Sequence, residues 1–290
     1  MPYLASSAGL IHYQEAGAGI PLLLLSANPG DSRDFDAVIP ALARHYHVIA
    51  PDWPGYGRST LDIAPESVDL AMHDRVLREL LDALGQQPVL IIGNSLGGNV
   101  AARLAISCPE RVRGLVLVSP GGFTPHNFFT RGFCRWQGSR FALSPRRFAS
   151  LYLRRRTPVV EQMLERAAGE QSGGVALLRN RAVWRSFLEA DYDLRPQAHR
   201  IQSPVMLAYG RMDPVISPYL DGRVARKCLP LARFAEFACG HAPFAELPDA
   251  FLAQVEPFLA ECAGRPVSGE ITPGATVSGS ALATGSGVPV

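Results

Sequence analysis

Ser95 is the residue whose surroundings most clearly indicate chemistry. It lies in Gly93-Asn94-Ser95-Leu96-Gly97-Gly98, a GxSxG pattern directly after the apolar run 89–92 and directly before a helical pattern. A tight turn between a strand and a helix leaves no room for side chains at its flanks, so glycines stand there and the serine projects outward. The free N–H groups of a helix start favour negative charge, and the Leu96 N–H is placed to donate to a developing oxyanion. The pattern predicts a nucleophile at Ser95; a glycine-rich structural turn is the alternative.

A serine nucleophile needs a base near neutral pH, and the base needs a partner that fixes its tautomer. Asp213 follows the predicted strand with the apolar run 205–209, and His241 follows the next predicted strand, 233–237. Both therefore lie at predicted strand ends, in the chain order Ser, Asp, His, although Asp-Pro is also ordinary turn chemistry. The remaining histidines fall in or beside predicted strands, on a helix or at the borders of an insertion, where a structural or solvent-facing role is expected: His12, His45, His47, His73, His126 and His199.

Short apolar runs alternate with helical periodicity along most of the chain, which predicts an α/β fold with a mostly parallel sheet and helices on both faces. A hairpin that includes residues 10–15 comes first. Buried strands are predicted at 21–26, 47–50, 89–93 and 112–119, and further strands at 204–210 and 233–237. Helices are predicted at 34–44, 67–84, 96–107, 219–227 and 248–262. Ligands bind at the carboxyl edge of such sheets, which is where Ser95, Asp213 and His241 are predicted to lie.

The strand pattern stops at about residue 123 and resumes after 200. We therefore expect residues 1–122 and 201–263 to form the core, with 123–200 as a helical lid. Residues 264–290 are mostly Gly, Ser, Thr, Ala, Pro and Val, which predicts a disordered tail. Residues 121–200 hold 14 Arg against 6 acidic residues, which indicates a solvated basic face or a site for an anionic substrate. The lid is also rich in aromatic residues: Phe128, Phe129, Phe133, Trp136, Phe141, Tyr152, Trp184 and Phe187.

The overall charge is nearly balanced, with 28 basic and 26 acidic residues among 290 and a formal net charge of +2. This balance predicts no nucleic-acid partner. The five cysteines are widely spaced and form no CxxC pair, so neither a disulfide framework nor a metal site is expected, and a cytoplasmic location fits best. The apolar runs are far shorter than the roughly 20 residues of a membrane span, so no membrane association is expected.

Over about residues 9–262 the chain resembles the α/β-hydrolase fold family. The resemblance rests on the elbow 93–98, the turn 52–59, Gly210-Arg211-Met212-Asp213, and Gly240-His241 followed by Glu246-Leu247-Pro248. It implies no cofactor, a Ser95-His241-Asp213 triad and a second oxyanion donor, by position the Asn28 N–H. One feature departs from the family: relatives carry His-Gly where this chain has Ser26-Ala27, and the extra Cβ narrows the backbone choices of that loop.

The nucleophile type decides among the activities of this family. Haloalkane dehalogenases and epoxide hydrolases use Asp at the elbow, whereas Ser95 implies acyl transfer through an acyl-enzyme. The expected function is hydrolysis of a small, largely apolar carboxylic ester or lactone. Two alternatives remain open: a carbon–carbon bond hydrolase of ring-fission products, which Asn94 and residues 119–123 resemble, and a ligand-binding protein with negligible turnover.

Overall fold

An eight-stranded sheet forms the centre of the protein in the computed structural model, which describes residues 2–85, 87–169 and 174–265. The strands are numbered β1 to β8 along the chain, and across the sheet they lie in the order β1-β2-β4-β3-β5-β6-β7-β8. β1 and β2 form the predicted hairpin, β2 also pairs antiparallel with β4, and the other pairings in the sheet are parallel. The strands are β1 (Tyr3–Ser6), β2 (Gly9–Ala16), β3 (Pro21–Leu25), β4 (His47–Pro51), β5 (Val89–Asn94), β6 (Val112–Val118), β7 (Val205–Gly210) and β8 (Arg233–Phe237).

Helices lie on both faces of this sheet, so the predicted fold class is confirmed. Every residue of β3, β5 and β7 is buried, because central parallel strands are covered on both sides and read as continuous apolar runs. The helices of the described residues are α1 (Ile39–Leu42), α2 (Leu70–Leu84), α3 (Leu96–Ser107), α4 (Phe128–Gln137), α5 (Pro145–Tyr152), α6 (Pro158–Gly169), α7 (Gly174–Ser186), α8 (Arg223–Cys228), α9 (Pro243–Glu246) and α10 (Pro248–Cys262).

Three helices begin differently in the structure from the way the sequence predicts. The helix expected over 34–44 is divided into a 3-10 turn, Ser32–Phe35, and the four-residue α1, because Pro40 supplies no N–H and restricts the residue before it. The helix expected from residue 67 begins at Leu70, after Asp69 accepts a hydrogen bond from the Met72 N–H as its N-cap. The helix expected over 219–227 starts with a π-helical turn before α8.

Helices α4 to α7 lie between β6 and β7, within residues 123–200, here called the helical insertion. Its aromatic rings pack on one another, with centroid separations between 4.7 and 5.5 Å for the contacts of Trp184 with Phe133, Phe148 and Phe187 and of Phe187 with Tyr192. Part of its aromatic content therefore holds the insertion together.

The chain beyond α10 is described only as far as Arg265, so most of the tail expected over 264–290 lies outside the described residues. Pro257 lies inside α10, which runs uninterrupted from Pro248 to Cys262. Within the part of the chain that the structure describes, no helix combines the length and apolar character needed to cross a membrane.

The strand register brings distant segments to the same edge. Gly93 pairs with Leu25, Asn94 with Val118, and Gly210 with Phe237. The loops after β3, β5, β7 and β8 therefore leave the sheet from its carboxyl edge, where the three candidate catalytic residues and Asn28 are found.

Candidate active site

Ser95 occupies a strained backbone position at the junction of β5 and α3. Its φ of 53° and ψ of −109° place an L-residue in a region that serine rarely adopts. The glycines around it are required by close backbone packing, since a Cβ on Gly93 would lie 2.6 Å from the Gly97 carbonyl oxygen. A Cβ on Gly97 would lie 2.3 Å from the Leu25 carbonyl oxygen. The start of α3 therefore lies against the end of β3, next to the loop that holds Asn28.

Asp213 and His241 are in direct contact. The His241 Nδ1 atom lies 2.6 Å from Asp213 Oδ2, and both residues are buried. The other oxygen, Oδ1, accepts hydrogen bonds from the Val215 and Ile216 N–H groups at 2.8 and 3.1 Å. A carboxylate oxygen can accept a hydrogen bond but cannot donate one. In the bond with Asp213 Oδ2, His241 Nδ1 therefore carries the proton, and Nε2 presents a lone pair. This is the tautomer that a general base requires.

Asn94 connects the elbow to the histidine loop. Its side-chain amide donates to the Val118 carbonyl at 3.0 Å and to the His241 carbonyl at 3.2 Å. Ser95 is thus one residue away from a group bonded to His241. Among the hydrogen bonds of the described residues, none joins the Ser95 hydroxyl to the His241 ring. The structure therefore brings Asp213 and His241 together and places Ser95 beside their loop without a direct bond.

Glu246 shapes the loop around His241 and was given no role by the sequence. Its Oε2 atom accepts from the Gly240 N–H at 3.0 Å, and its Oε1 atom accepts from the Ala242 N–H at 3.1 Å. The two residues that flank His241 are therefore held by one carboxylate. The order Glu246-Leu247-Pro248 was recognised as part of a family pattern, but spacing alone could not show which N–H groups it would meet.

The same carboxylate also binds the helical insertion. Glu246 Oε2 accepts from the Arg154 and Arg155 N–H groups, each at 2.8 Å. The His241 N–H donates to the Tyr152 carbonyl at 3.0 Å, and the two rings lie 5.0 Å apart. The end of α5 and the loop that follows it are thus part of the framework that positions His241.

Asn28 is buried in the loop after β3, and its side chain is held from two sides. The Tyr56 hydroxyl donates to Asn28 Oδ1, and Asn28 Nδ2 donates to Asn180 Oδ1 of α7 at 3.1 Å. The neighbouring Arg179 lies over the Tyr56 ring, 3.6 Å from its centroid. Within the described residues no hydrogen bond uses the Asn28 backbone N–H.

Ser26 and Ala27, which stand where relatives carry His-Gly, lie in a buried loop. Ser26 is fully buried, its carbonyl oxygen accepts from Trp53 Nε1 at 3.1 Å, and Ala27 is 7% exposed. The Trp53 contact anchors the loop immediately before Asn28. The methyl group of Ala27 is therefore packed into the protein, in a loop fixed on both sides by hydrogen bonds.

A cavity of about 400 Å³ lies between the helical insertion and the loop after β7. Pro214 and Val215, next to Asp213, form part of its wall. The insertion supplies most of the rest, and no charged side chain is among the lining residues. They are Thr124, His126, Phe129, Thr130, Phe133, Cys134, Phe148, Leu151, Trp184, Phe187, Tyr192, Pro214, Val215 and Ile216. Burial lowers the pKa of His126, so the cavity is predominantly neutral near pH 7.

A buried charge cluster connects α6 to the loop after β3. Arg166 Nη2 donates to Asp34 Oδ1 at 2.6 Å, and Arg166 Nε lies 3.1 Å from Asp31 Oδ2. Burial raises the pKa of Asp34 to about 7, with a further increase from the Asp31 carboxylate that Arg166 opposes. The arginine of this cluster is therefore occupied by protein carboxylates.

Metal binding finds no support in the described residues, which contain no group of three or more His, Cys, Asp or Glu side chains able to hold an ion. All five cysteines are free. The polar groups found at the sheet edge are a serine hydroxyl, an oriented imidazole, a carboxylate and backbone N–H groups.

Known proteins resemble this chain over most of its length. The family model described as alpha/beta hydrolase fold matches residues 20–248. A pimeloyl-[acyl-carrier protein] methyl ester esterase of Nitrosomonas europaea is 31% identical over 260 residues, which cover 84% of this chain and 97% of that protein. A 2-hydroxy-6-oxo-6-phenylhexa-2,4-dienoate hydrolase of Comamonas testosteroni is 28% identical over 224 residues, covering 70% and 75% respectively.

Solved structures agree with these sequence relatives. The crystal structure of a hydrolase from Pseudomonas aeruginosa superposes with a TM-score of 0.75 at 26% sequence identity. The superposition covers 89% of this chain and 97% of that one. The similarity therefore extends over most of both chains.

Proposed function

The chain belongs to the α/β-hydrolase fold family, in which the relatives named above are hydrolases, and from this premise we propose that it is a serine hydrolase acting through an acyl-enzyme on a small, largely apolar carboxylic ester or lactone. The observation that carries the proposal is the strained serine at the end of β5, next to an Asn94 amide bonded to the His241 carbonyl. Backbone strain of this kind clusters at functional sites, and Ser95 is partly exposed, unlike the fully buried Ser119, which also has a positive φ. Asp213 bonded to His241 supplies the base that such a serine needs.

In the proposed reaction the Ser95 oxygen attacks the substrate carbonyl carbon while its proton passes to His241 Nε2. The backbone N–H groups of Leu96 and Asn28 stabilise the oxyanion, and Asp213 stabilises the imidazolium. His241 then protonates the leaving alkoxide, which departs as an alcohol and leaves an ester on Ser95. Water, deprotonated by His241, hydrolyses that ester and releases the carboxylic acid.

The cavity next to Asp213 supports the proposed substrate class. Its volume of about 400 Å³ lies at the lower end of the range for small-molecule sites, and its walls are aromatic and aliphatic. No arginine lines it, and Arg166 is already paired with Asp31 and Asp34. These features support a neutral, apolar acyl or alcohol group rather than a carboxylate.

The decisive experiment is labelling with a fluorophosphonate, which reacts with activated serines. We expect the wild-type protein to be labelled and Ser95→Ala to remain unlabelled. Hydrolysis of short p-nitrophenyl esters should fall on the order of 10⁶-fold in the variant, as in serine protease triad knockouts.

Ser119→Ala is the matched control for this experiment. Ser119 is also a serine with positive φ, 40°, at the end of the neighbouring strand β6, but it is fully buried. Its loss should leave labelling and hydrolysis nearly unchanged. Equal labelling of wild type and Ser95→Ala would remove Ser95 from its role.

A carbon–carbon bond hydrolase is the second candidate, favoured by the similarity to the Comamonas testosteroni hydrolase named above. Turnover of a vinylogous diketo acid without ester hydrolysis would select this activity.

A ligand-binding protein with negligible turnover is the third candidate. It would be supported by tight ligand binding that survives Ser95→Ala with no burst of product.

A further inference from the structure

The outer surface of α4 and α5 is both apolar and basic. Phe128 is 83% exposed, Phe129 81% and Phe141 68%, which is unusual for such large side chains. Trp136 of α4 and Leu151 of α5 are also exposed. In α4, Phe128, Gly132, Arg135 and Trp136 follow the i, i+4, i+7, i+8 spacing of one helix face.

Arginines are interleaved with these aromatic residues. Arg135, Arg140, Arg146 and Arg147 are exposed, and the Arg140 guanidinium lies 4.8 Å from the centroid of the Phe141 ring. Residues 111–160 contain ten Arg and no Asp or Glu. Among the residues that the structure describes, none of the four arginines is paired with a carboxylate. We call this surface, formed by the exposed side chains of residues 128–151, the aromatic–arginine face.

We propose that the aromatic–arginine face docks on an anionic lipid surface, with the aromatic side chains in the headgroup region and the arginines on lipid phosphates. A helix with aromatic residues and arginines on its exposed face has the composition of an interfacial helix, and each basic residue near an anionic bilayer adds to binding. The near-neutral charge of the whole chain conceals this local excess of arginine. The expectation of no membrane association rested on the short apolar runs, which exclude a membrane span but do not bear on docking at a lipid surface.

The cavity next to Asp213 supports a lipid surface over other partners. Phe129, Phe133 and Leu151 line that cavity and are also exposed on the face, so its apolar wall continues onto the docking surface. A second copy of the chain is disfavoured, because a twofold contact would place the unpaired arginines of both copies against each other. The docking goes beyond the proposed function, since lipid binding does not require Ser95 to react.

The test is co-sedimentation of the full chain with vesicles made of equal parts phosphatidylglycerol and phosphatidylcholine, compared with vesicles of phosphatidylcholine alone. We expect binding only to the anionic vesicles, weakened by salt. Arg135→Gln with Arg140→Gln should raise the vesicle dissociation constant about 30-fold, since each arginine contributes a factor of about five. Phe128→Ser with Phe141→Ser should raise it about tenfold or more, because two large apolar side chains no longer insert.

Matched controls lie outside the face. Arg44→Gln with Leu231→Ser makes the same types of change at exposed positions, Leu231 being 97% exposed, and should leave vesicle binding unchanged. All three double variants should hydrolyse a water-soluble ester like the wild type, which shows that they are folded. Loss of ester hydrolysis in Ser95→Ala with vesicle binding retained would separate docking from catalysis.

Three outcomes would overturn the proposal. The first is no binding to anionic vesicles at low salt. The second is equal binding by the face variants and the wild type. The third is a concentration-dependent dimer, abolished by the face variants, without vesicle binding, which would assign the face to a second copy of the chain.

Discussion

Asp213 uses its two carboxylate oxygens for different partners. Oδ1 is bonded to the backbone N–H groups of Val215 and Ile216, which fix the carboxylate, and Oδ2 is bonded to His241. The division matters because only the second bond selects the tautomer of the imidazole. A change at Oδ2 alone therefore alters the chemistry with little effect on the fold of the loop.

Asp213→Asn makes that change. The amide oxygen can keep the two backbone bonds while its NH₂ group faces His241 Nδ1, which forces the proton onto Nε2. We expect kcat for ester hydrolysis to fall on the order of 10⁴-fold, the loss seen when a triad aspartate becomes asparagine. Steady-state kinetics on a p-nitrophenyl ester measures this.

Asp221→Asn is the comparison for that variant. Asp221 is also buried, but its carboxylate accepts from the Ser217 N–H and contacts no histidine among the described hydrogen bonds. Its kcat should stay within a few-fold of the wild type. A kcat for Asp213→Asn within tenfold of the wild type would contradict the assigned role.

The sequence predicted the residues that stand directly after strands but not those that support them. Asp213 and His241 could be found because strand ends share one edge of the sheet. Asn180 and Glu246 could not, since their partners lie 152 and up to 92 residues away and depend on how the helical insertion packs. The sequence shows a carboxylate at Glu246, but not the four N–H groups that surround it.

At the level of secondary structure, the start of helix α3 depends on the absence of a side chain at Gly97. Gly97 faces the backbone of β3 so closely that a methyl group would lie 2.3 Å from the Leu25 carbonyl oxygen. Backbone of a central strand cannot move without disturbing its neighbours. Any side chain at this position must therefore displace α3 and the serine at its start.

Gly97→Ala tests this contact. We expect the variant to lose about 2 to 3 kcal/mol of unfolding free energy, the upper end of the range for overpacked cores, and most of the proposed ester hydrolysis. Urea denaturation and ester hydrolysis measure the two effects.

Gly132→Ala provides the same substitution in α4, where a Cβ would meet no atom within 4 Å. Alanine favours a helix interior over glycine, so this variant should gain up to about 1 kcal/mol. Similar stability changes in the two variants would show that the contact with β3 is unimportant.

Strands were predicted more accurately than the helices around them. Central parallel strands such as β3 and β5 are buried on both faces, so their apolar runs are unambiguous. The break before α1 depends on Pro40, and the start of α2 depends on Asp69 rather than on apolar periodicity. Local capping and proline effects therefore account for two of the three differences at helix starts.

Acid stability is a property of the whole molecule to which one buried histidine contributes strongly. His73 of α2 is fully buried beside Trp53, and burial lowers its pKa to about 4 from an ordinary 6.5. Below pH 6.5 the unfolded chain binds a proton there that the folded chain does not bind until about pH 4. The free energy of unfolding therefore falls as the pH decreases across this range.

His73→Asn removes the titration while keeping an amide that can donate to the Asp69 carbonyl, which His73 Nδ1 contacts at 2.6 Å. Between pH 8 and pH 5 the wild type should lose about 2 kcal/mol more than the variant. Asp34, whose raised pKa acts in the opposite direction, is present in both proteins and cancels in the comparison.

Urea denaturation at several pH values provides the measurement. The variant is expected to be less stable than the wild type at pH 8 and to approach it at pH 5. Parallel stability curves for the two proteins would contradict the lowered pKa of His73.

Glu246 links two parts of the protein that are far apart in the sequence. One carboxylate accepts from the residues on either side of His241 and from Arg154 and Arg155 of the helical insertion. Displacing the insertion at this point would break the bonds from the Arg154 and Arg155 N–H groups and leave Glu246 held only by the residues on either side of His241. In the proposed mechanism, the placement of the insertion and the orientation of the base would therefore be linked through a single side chain.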